Sequence, residues 1–215
     1  MFGLQFTADD VVLDVGCGLG DVCVAAGNAG SAVIAIDIVP ATLDHARRRM
    51  EGVPARSFES YVSDCSPIPL PDQTCSIVVA QEVLEHTTNP AAFLAELARV
   101  GRAGCRYLIS VPSANSESLL KTVAPPEYFQ APNHVHIFSM ESLEQLVGDA
   151  GLRIVSRHKV GFYWSLWWMF KMAGEAAVPH WEAAWAELQK HPNAALSSEH
   201  LDALIPKSDV LVCQK

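Results

Sequence analysis

Asp14-Val15-Gly16-Cys17-Gly18-Leu19-Gly20 follows directly on Val11-Val12-Leu13. An apolar run that breaks into alternating glycines reads as a strand passing through a tight turn into a helix. The glycines stand where a side chain would keep a ligand off the backbone, and the helix that follows turns its N-terminus toward the same place. The pattern then recurs: Ala32 to Ile36, Phe58 to Val62, Ser76 to Ala80 and Arg106 to Val111 are short apolar runs, and helical patterns follow the first and third of these. Strand and helix in alternation predict an α/β fold with a parallel sheet covered on both faces.

Further along the chain the elements carry their own punctuation. Asn89-Pro90 supplies a capping side chain and a first-turn proline to a helix through Phe93, Leu94, Leu97 and Ala98, which Gly101 ends. Ser139 caps a helix that buries Met140, Leu143, Leu146, Val147 and Ala150 and stops at Gly151. Leu152 to Val160 and Asp209 to Cys213 read as the last two strands, which makes residues 161–207, with all five tryptophans, an insertion between them.

A chain of 215 residues, half of them hydrophobic, fits a single domain over residues 1–215. Its 24 acidic against 15 basic residues, net charge -9, oppose a nucleic-acid partner. Arg47-Arg48-Arg49 forms the one basic cluster, on a helical pattern between Leu43 and Met50, and reads as a solvated face. Six cysteines without CxxC or metal-finger spacing point to reduced thiols and a cytoplasmic location. The longest apolar stretch, around Phe162 to Phe170, falls short of the roughly 20 residues of a membrane span, and no leader pattern is present, so a soluble protein is expected.

Two acids qualify the glycine turn. Asp37 ends the second strand 19 positions after Gly18, where a carboxylate accepts hydrogen bonds from ribose hydroxyls, although a helix cap before Pro40 is the competing reading. Asp64, in Val62-Ser63-Asp64-Cys65 and ahead of the proline-rich stretch Pro67 to Asp72, can accept from an adenine amino group. Asp21 stands three positions after Gly18, where the nicotinamide-dinucleotide fingerprint wants glycine or alanine, which disfavours an oxidoreductase.

In order and spacing, VLDVGCGLG, AIDIVP, SDCSPIPLPDQTCSIVVAQEVLEH and LARVGRAGCRYLISVP resemble successive motifs of the class I S-adenosylmethionine-dependent methyltransferases of small-molecule type, over roughly Val11 to Val160. The resemblance implies a Rossmann-like seven-stranded sheet, mostly parallel with an antiparallel last strand, and helices on both faces. It implies S-adenosylmethionine as cofactor, with Asp14, Gly16 and Gly18 at its methionine part beside Cys17, Asp37 at the ribose beside Ile38, Asp64 and Cys65 at the adenine, and Gln81 lining the methionine pocket. Two features depart from the pattern. Only Met1 to Asp10 precede the first strand, where relatives carry a lid, and Val100-Gly101-Arg102-Ala103-Gly104 replaces the usual Leu-Lys-Pro-Gly-Gly turn.

Methyl transfer from a sulfonium asks the protein mainly to orient the acceptor, and a hydroxyl acceptor must also lose its proton to a base or to a metal-bound state. Glu82-Val83-Leu84-Glu85-His86 follows the fourth strand, and His134-Val135-His136 precedes the Ser139 cap. This pattern resembles the metal site of methyltransferases acting on the 3′-terminal 2′-hydroxyl of small RNAs, where the metal chelates two adjacent hydroxyls, and in part that of ubiquinone-pathway O-methyltransferases. The resemblance implies a divalent cation (magnesium, manganese or iron(II)) on Glu82, Glu85, His86 and His134, with His134 preferred to His136. Glu85, His86 and His134 are the expected catalytic residues, and without a metal His86 or His134 is the candidate base. His45, His158, His180, His191 and His200 form no pattern.

Gly161 to Met172 is apolar around nearly the whole helical circumference and wants cover on several sides. It reads as a core helix, a homodimer interface, a peripheral membrane contact or a lid over the acceptor. The lid is the expectation, with Trp164, Trp167 and Trp168 near the acceptor. The insertion and the closing Ile205 to Val210 resemble methyltransferases of polysaccharide and natural-product pathways. The function expected is O-methylation of a hydroxyl on a small molecule, whether a sugar, a lipid-linked or a polyketide- or quinone-like acceptor. N-methylation of a small molecule and a non-catalytic cofactor-binding partner or sensor stay open as alternatives.

Overall fold

Seven strands, β1 (Val11–Val15), β2 (Ala32–Asp37), β3 (Ser57–Val62), β4 (Cys75–Gln81), β5 (Gly101–Pro112), β6 (Arg153–Val160) and β7 (Ser208–Gln214), form one sheet in the order β3-β2-β1-β4-β5-β7-β6. β1 to β5 pair in parallel, and β7 runs antiparallel to both β5 and β6. This computed structural model describes residues 1–174, 178–190, 201–203 and 205–215. The arrangement is the Rossmann-like sheet that the motif order implies. His191 and His200 and part of the 161–207 insertion lie outside the described residues.

The period-two alternation of the strands sorts the core into two layers. Leu13 and Val15 of β1, with Val78 and Ala80 of β4, join a cluster under α3 (Pro90–Val100) and α5 (Met140–Asp149). Val12, Ile77 and Val79 face the other way and pack with α1 (Asp21–Asn28) and α2 (Pro40–Met50). The expected caps are present: Ala92 N–H donates to Asn89 Oδ1 at 3.1 Å and Ser142 N–H to Ser139 Oγ at 3.2 Å. All six cysteines are buried and free.

β5 is longer than the apolar run Arg106 to Val111 predicts. α3 passes straight into it because Gly101 is extended and pairs with Cys75, and a side chain at Gly101 would collide with the Tyr107 hydroxyl. The arginine cluster on α2 is held by acids and backbone: Arg47 pairs with Asp44, while Arg49 donates to Asp21 and to the carbonyl of Leu19 in the glycine turn.

Between β6 and β7, α6 (Phe162–Ala173) packs on α7 (Val178–Leu188) and on α4 (Ala114–Leu120). Tyr163 stacks on Trp185 with centroids 5.0 Å apart, and Trp181 stacks on Trp185 at 6.2 Å. Trp167 Nε1–H donates to Glu182, and Lys171 lies over the rings of Trp167 and Trp168. Much of the aromatic surface is therefore consumed within the helical pair. Among the described residues no helix is long and apolar enough to cross a membrane.

α1 meets the chain after α2 at Gly27, where a Cβ would lie 2.6 Å from Val53 Cγ1 and 2.9 Å from Met50 Cε. Alanine favours a helix interior over glycine by about 1 kcal/mol, yet overpacking here opposes it. Gly27→Ala is expected to lower unfolding free energy by about 1–3 kcal/mol in denaturant titration; a stabilised variant would contradict this packing.

Candidate active site

The carboxyl ends of β1 to β4 open on one edge, the position at which open α/β sheets bind ligands. After β1 the backbone is left-handed at Gly16 (φ 64°), Gly18 (φ 49°) and Gly20 (φ 79°). A Cβ at Gly16 would lie 2.5 Å from Val83 Cγ2, so only hydrogen fits there. At Gly18 the nearest atom to such a Cβ is 3.9 Å away, which leaves its φ as the constraint and the space above the turn clear.

Asp37 clamps the glycine turn and closes a tight turn before α2, whose N-cap is Val39. Its Oδ1 accepts from Val39 N–H at 2.9 Å and its Oδ2 from Gly18 N–H at 3.2 Å, which ties the end of β2 to the glycine turn. Ile38 and Leu19 stand exposed beside it, an apolar pair at a polar edge. Asp64 is exposed and accepts from Ser66 N–H, Cys65 beneath it is buried, and Gln81 is half-buried at the end of β4. Asp14 is buried, with the Cys23 thiol donating to its Oδ2 at 3.2 Å. Burial, reinforced by the charge of Asp37 and opposed by the thiol, pushes its carboxyl up to about 7. The folded chain therefore holds this proton where the unfolded chain has lost it, and the stability it contributes declines as pH rises from the ordinary carboxylate range through 7.

A cleft of about 360 Å³ opens beside this edge, lined by Glu82, Glu85 and His86 after β4, by Tyr128, Asn133 and His134, and by Trp168 and Lys207. Backbone bonds assemble its two halves: Glu85 O accepts from Val135 N–H at 3.0 Å and His136 N–H at 3.2 Å. The rings of His86 and His134 meet edge-on with centroids 5.0 Å apart, and Tyr128 lies 4.5 Å from His134.

The acids of this cleft are handled in three ways. Glu82, with φ 55°, accepts from Ser110 Oγ and from Lys207 Nζ, each at 2.9 Å. Glu85 is 1% exposed, and neither of its carboxylate oxygens has a partner among the described residues. Burial, then the charge of Glu82, raises it well above the usual carboxylate range. Glu117, from α4, meets His134 Nδ1 at 2.9 Å.

Both histidines are committed at Nδ1. His86 Nδ1 faces the carbonyls of Pro132 and Asn133 at 3.1 and 3.0 Å, which can only accept, so it carries the proton. In the neutral ring this leaves the lone pair on Nε2 of His86, which lies 3.7 Å from Glu85. Glu85, His86 and His134 each offer one ligand atom, all within 4.8 Å of one another, so that the three could share one cation. Glu82 is outside this group and engaged with Lys207. His136 turns away, its Nε2 on the Thr87 carbonyl. Of Trp164, Trp167 and Trp168, only Trp168 lines the cleft; Trp164 is 52% exposed.

Glu117, Tyr128, Asn133 and Lys207 were not marked by sequence. Glu117 sits in Ala-Asn-Ser-Glu-Ser, which reads as an exposed helix face, and Lys207 lies in the closing Ile205 to Val210 stretch without a role of its own. Nothing short of the folded chain brings either to β4.

Residues 13–109 match a family model described as a methyltransferase domain. The malonyl-[acyl-carrier protein] O-methyltransferase of Serratia marcescens is 34% identical over 105 residues, 49% of this chain and 39% of that protein. A ubiquinone biosynthesis O-methyltransferase of Hahella chejuensis is 30% identical over 119 residues, 54% of this chain and 49% of that protein. The chain thus spans less than half the length of these curated relatives. The crystal structure of an S-adenosylmethionine-dependent methyltransferase from Aquifex aeolicus superimposes with a TM-score of 0.57 at 25% identity, covering 74% of this chain and 80% of that one. Matching motifs, the strand order and these likenesses agree: residues 13–109 belong to the methyltransferase-domain family, and the fold is that of the class I S-adenosylmethionine-dependent methyltransferases.

Proposed function

We propose that this chain transfers a methyl group from S-adenosylmethionine to a hydroxyl of a small-molecule acceptor held in the 360 Å³ cleft, with His134 receiving the hydroxyl proton. The observation that carries this reading is His134 itself: its Nδ1 is held by Glu117, and its ring faces a cleft next to the glycine edge. The residues of that edge suit the cofactor. Gly18 leaves the space above the backbone clear, Asp37 suits ribose hydroxyls, exposed Ile38 and Asp64 with Cys65 suit the adenine, and Asp14, Gly16, Cys17 and Gln81 suit the methionine part. Bound there, the cofactor supplies a sulfonium methyl carbon, the electrophile of an in-line displacement.

With the cofactor held there, Nε2 of His134 would take the proton of the acceptor hydroxyl as the methyl group is transferred. Tyr128 and Trp168 give the cleft apolar walls that fit a ring-bearing acceptor such as a sugar or quinone precursor. α6 acts as the cap over this acceptor, through Trp168.

The unpartnered carboxylate of Glu85 favours a second reading, in which Glu85, His86 and His134 hold a divalent cation. Oxygen and imidazole ligands suit magnesium, manganese or iron(II), which would lower the pKa of the acceptor hydroxyl. Glu82 would join only by giving up Lys207.

Labelled-methyl transfer across sugars, catechols and amines tests the reading. His134→Gln is expected to lower kcat by about 10²–10³-fold with cofactor affinity unchanged. Tight cofactor binding without turnover on any acceptor would sink the enzymatic reading, and label on nitrogen would replace the hydroxyl. Turnover indifferent to chelator and to added manganese removes the metal reading.

Asp14 offers an independent check on the cofactor. Because its carboxyl stays protonated up to about 7, an ammonium placed beside it should drive the proton off. Calorimetry of S-adenosylmethionine binding near about pH 6, in buffers of different ionisation enthalpy, should show proton release that Asp14→Asn abolishes. Proton uptake, or release unaffected by the variant, would take Asp14 out of the cofactor site.

A further inference from the structure

Glu117 lies on α4 in a sequence that looks exposed, yet it is 1% exposed. Its Oε2 meets His134 Nδ1 at 2.9 Å, and its Oε1 has no partner among the described residues. The helix that carries it is fixed at its start: Ser113 N–H donates to Lys207 O at 2.9 Å, Glu117 N–H to Ser113 O at 2.9 Å, and Ser116 Oγ to Ser113 O at 3.0 Å. The carboxylate is thus delivered to one place by a rigid element.

Stability does not account for it. A carboxylate taken out of water beside one imidazole and the Tyr128 hydroxyl, with its Oε1 lacking a hydrogen bond among the described residues, is the kind of group whose replacement by an apolar residue of similar volume is often neutral or stabilising. What it controls is a proton position. The neutral imidazole has two tautomers, and the acceptor found by one nitrogen decides which nitrogen keeps its lone pair. A carboxylate at Nδ1 keeps the proton there. His86 gets the same treatment from two backbone carbonyls.

We infer that Glu117 is a positioning residue, a buried carboxylate that locks His134 in the Nδ1–H tautomer and so presents the Nε2 lone pair to the cleft. The inference rests on the reading of His134 as the group that faces the acceptor. Under the metal reading the same lock readies the same nitrogen as a ligand, in the pattern of a carboxylate behind a metal-bound histidine.

The experiment reads the tautomer directly. Protein labelled with 15N-histidine is studied under conditions where the imidazole is neutral, and the signals of His134 are identified by their loss in His134→Asn. Wild type is expected to show a protonated Nδ1 and an unprotonated Nε2. Glu117→Met, which keeps the volume and removes the acceptor, is expected to move the proton wholly or partly to Nε2. Its melting temperature should be equal or higher, and kcat should fall about 10–100-fold with the KM for S-adenosylmethionine within about twofold. Should Glu117→Met fail to fold, Glu117→Gln is read the same way, with an intermediate tautomer mixture expected because its amide can either accept or donate.

A wild-type His134 protonated at Nε2, or a tautomer unchanged in the variants, overturns the inference. So does a switched tautomer with unchanged turnover. A switched tautomer in a protein with no methyl transfer on any acceptor would leave the role of Glu117 standing and sink the proposed reaction instead.

Discussion

Gly16 and Val83 leave room between them for one hydrogen atom. The contact joins the connection after β1 to the connection after β4, and these two strands are sheet neighbours, with Val15 opposite Ala80. Val83 stands between Glu82 and Glu85, so the same contact that shapes the glycine turn also sets where the acids of the cleft begin. The cofactor edge and the acceptor cleft are consequently two sides of one packed junction. A wider residue at Gly16 would disturb both, through its volume and through a φ of 64° that a side chain resists.

Around that junction the fold manages several carboxylates in a small volume. Lys207 pairs with Glu82, burial raises Glu85 well above the usual carboxylate range, and Glu117 is spent on His134. Each solution comes from a different part of the chain: the approach to β7, the turn after β4 and the helix after β5. The left-handed backbone of Glu82 is a local strain of about 1–3 kcal/mol, held by hydrogen bonds from Ser110 and Lys207. With Nδ1 of both histidines engaged, their Nε2 atoms are the imidazole nitrogens left to serve as base or ligand.

The aromatic insertion obeys a simpler constraint. A helix apolar on nearly all sides must be covered on more than one, and α6 finds α7 and α4. Tyr163 stacks with the tryptophans of α7, Trp167 is bonded to Glu182, and Trp168 alone of the α6 tryptophans reaches the cleft. The tryptophan-rich stretch thus pairs its half-buried rings with one another and extends one side chain to the site, while Trp164 and Phe170 stay exposed.

The sequence by itself determined the sheet, because strand periodicity, glycine turns and helix caps are local signals. β1 appears at its predicted residues, and β2, β4 and β7 within one residue at either end. Asp37 at the glycine edge and the Glu85–His86–His134 group were equally legible, since glycine spacing and the acid-histidine cluster lie in short windows. Only the tertiary structure decided which acid is spent and which is free. That Lys207 would occupy Glu82, that β5 would start at Gly101, and that Glu117 would be driven inward behind His134 depend on contacts 125, 26 and 17 residues apart in the chain. Proton placement follows from burial and from the partner at each nitrogen, and neither exists until the chain has closed around the cleft.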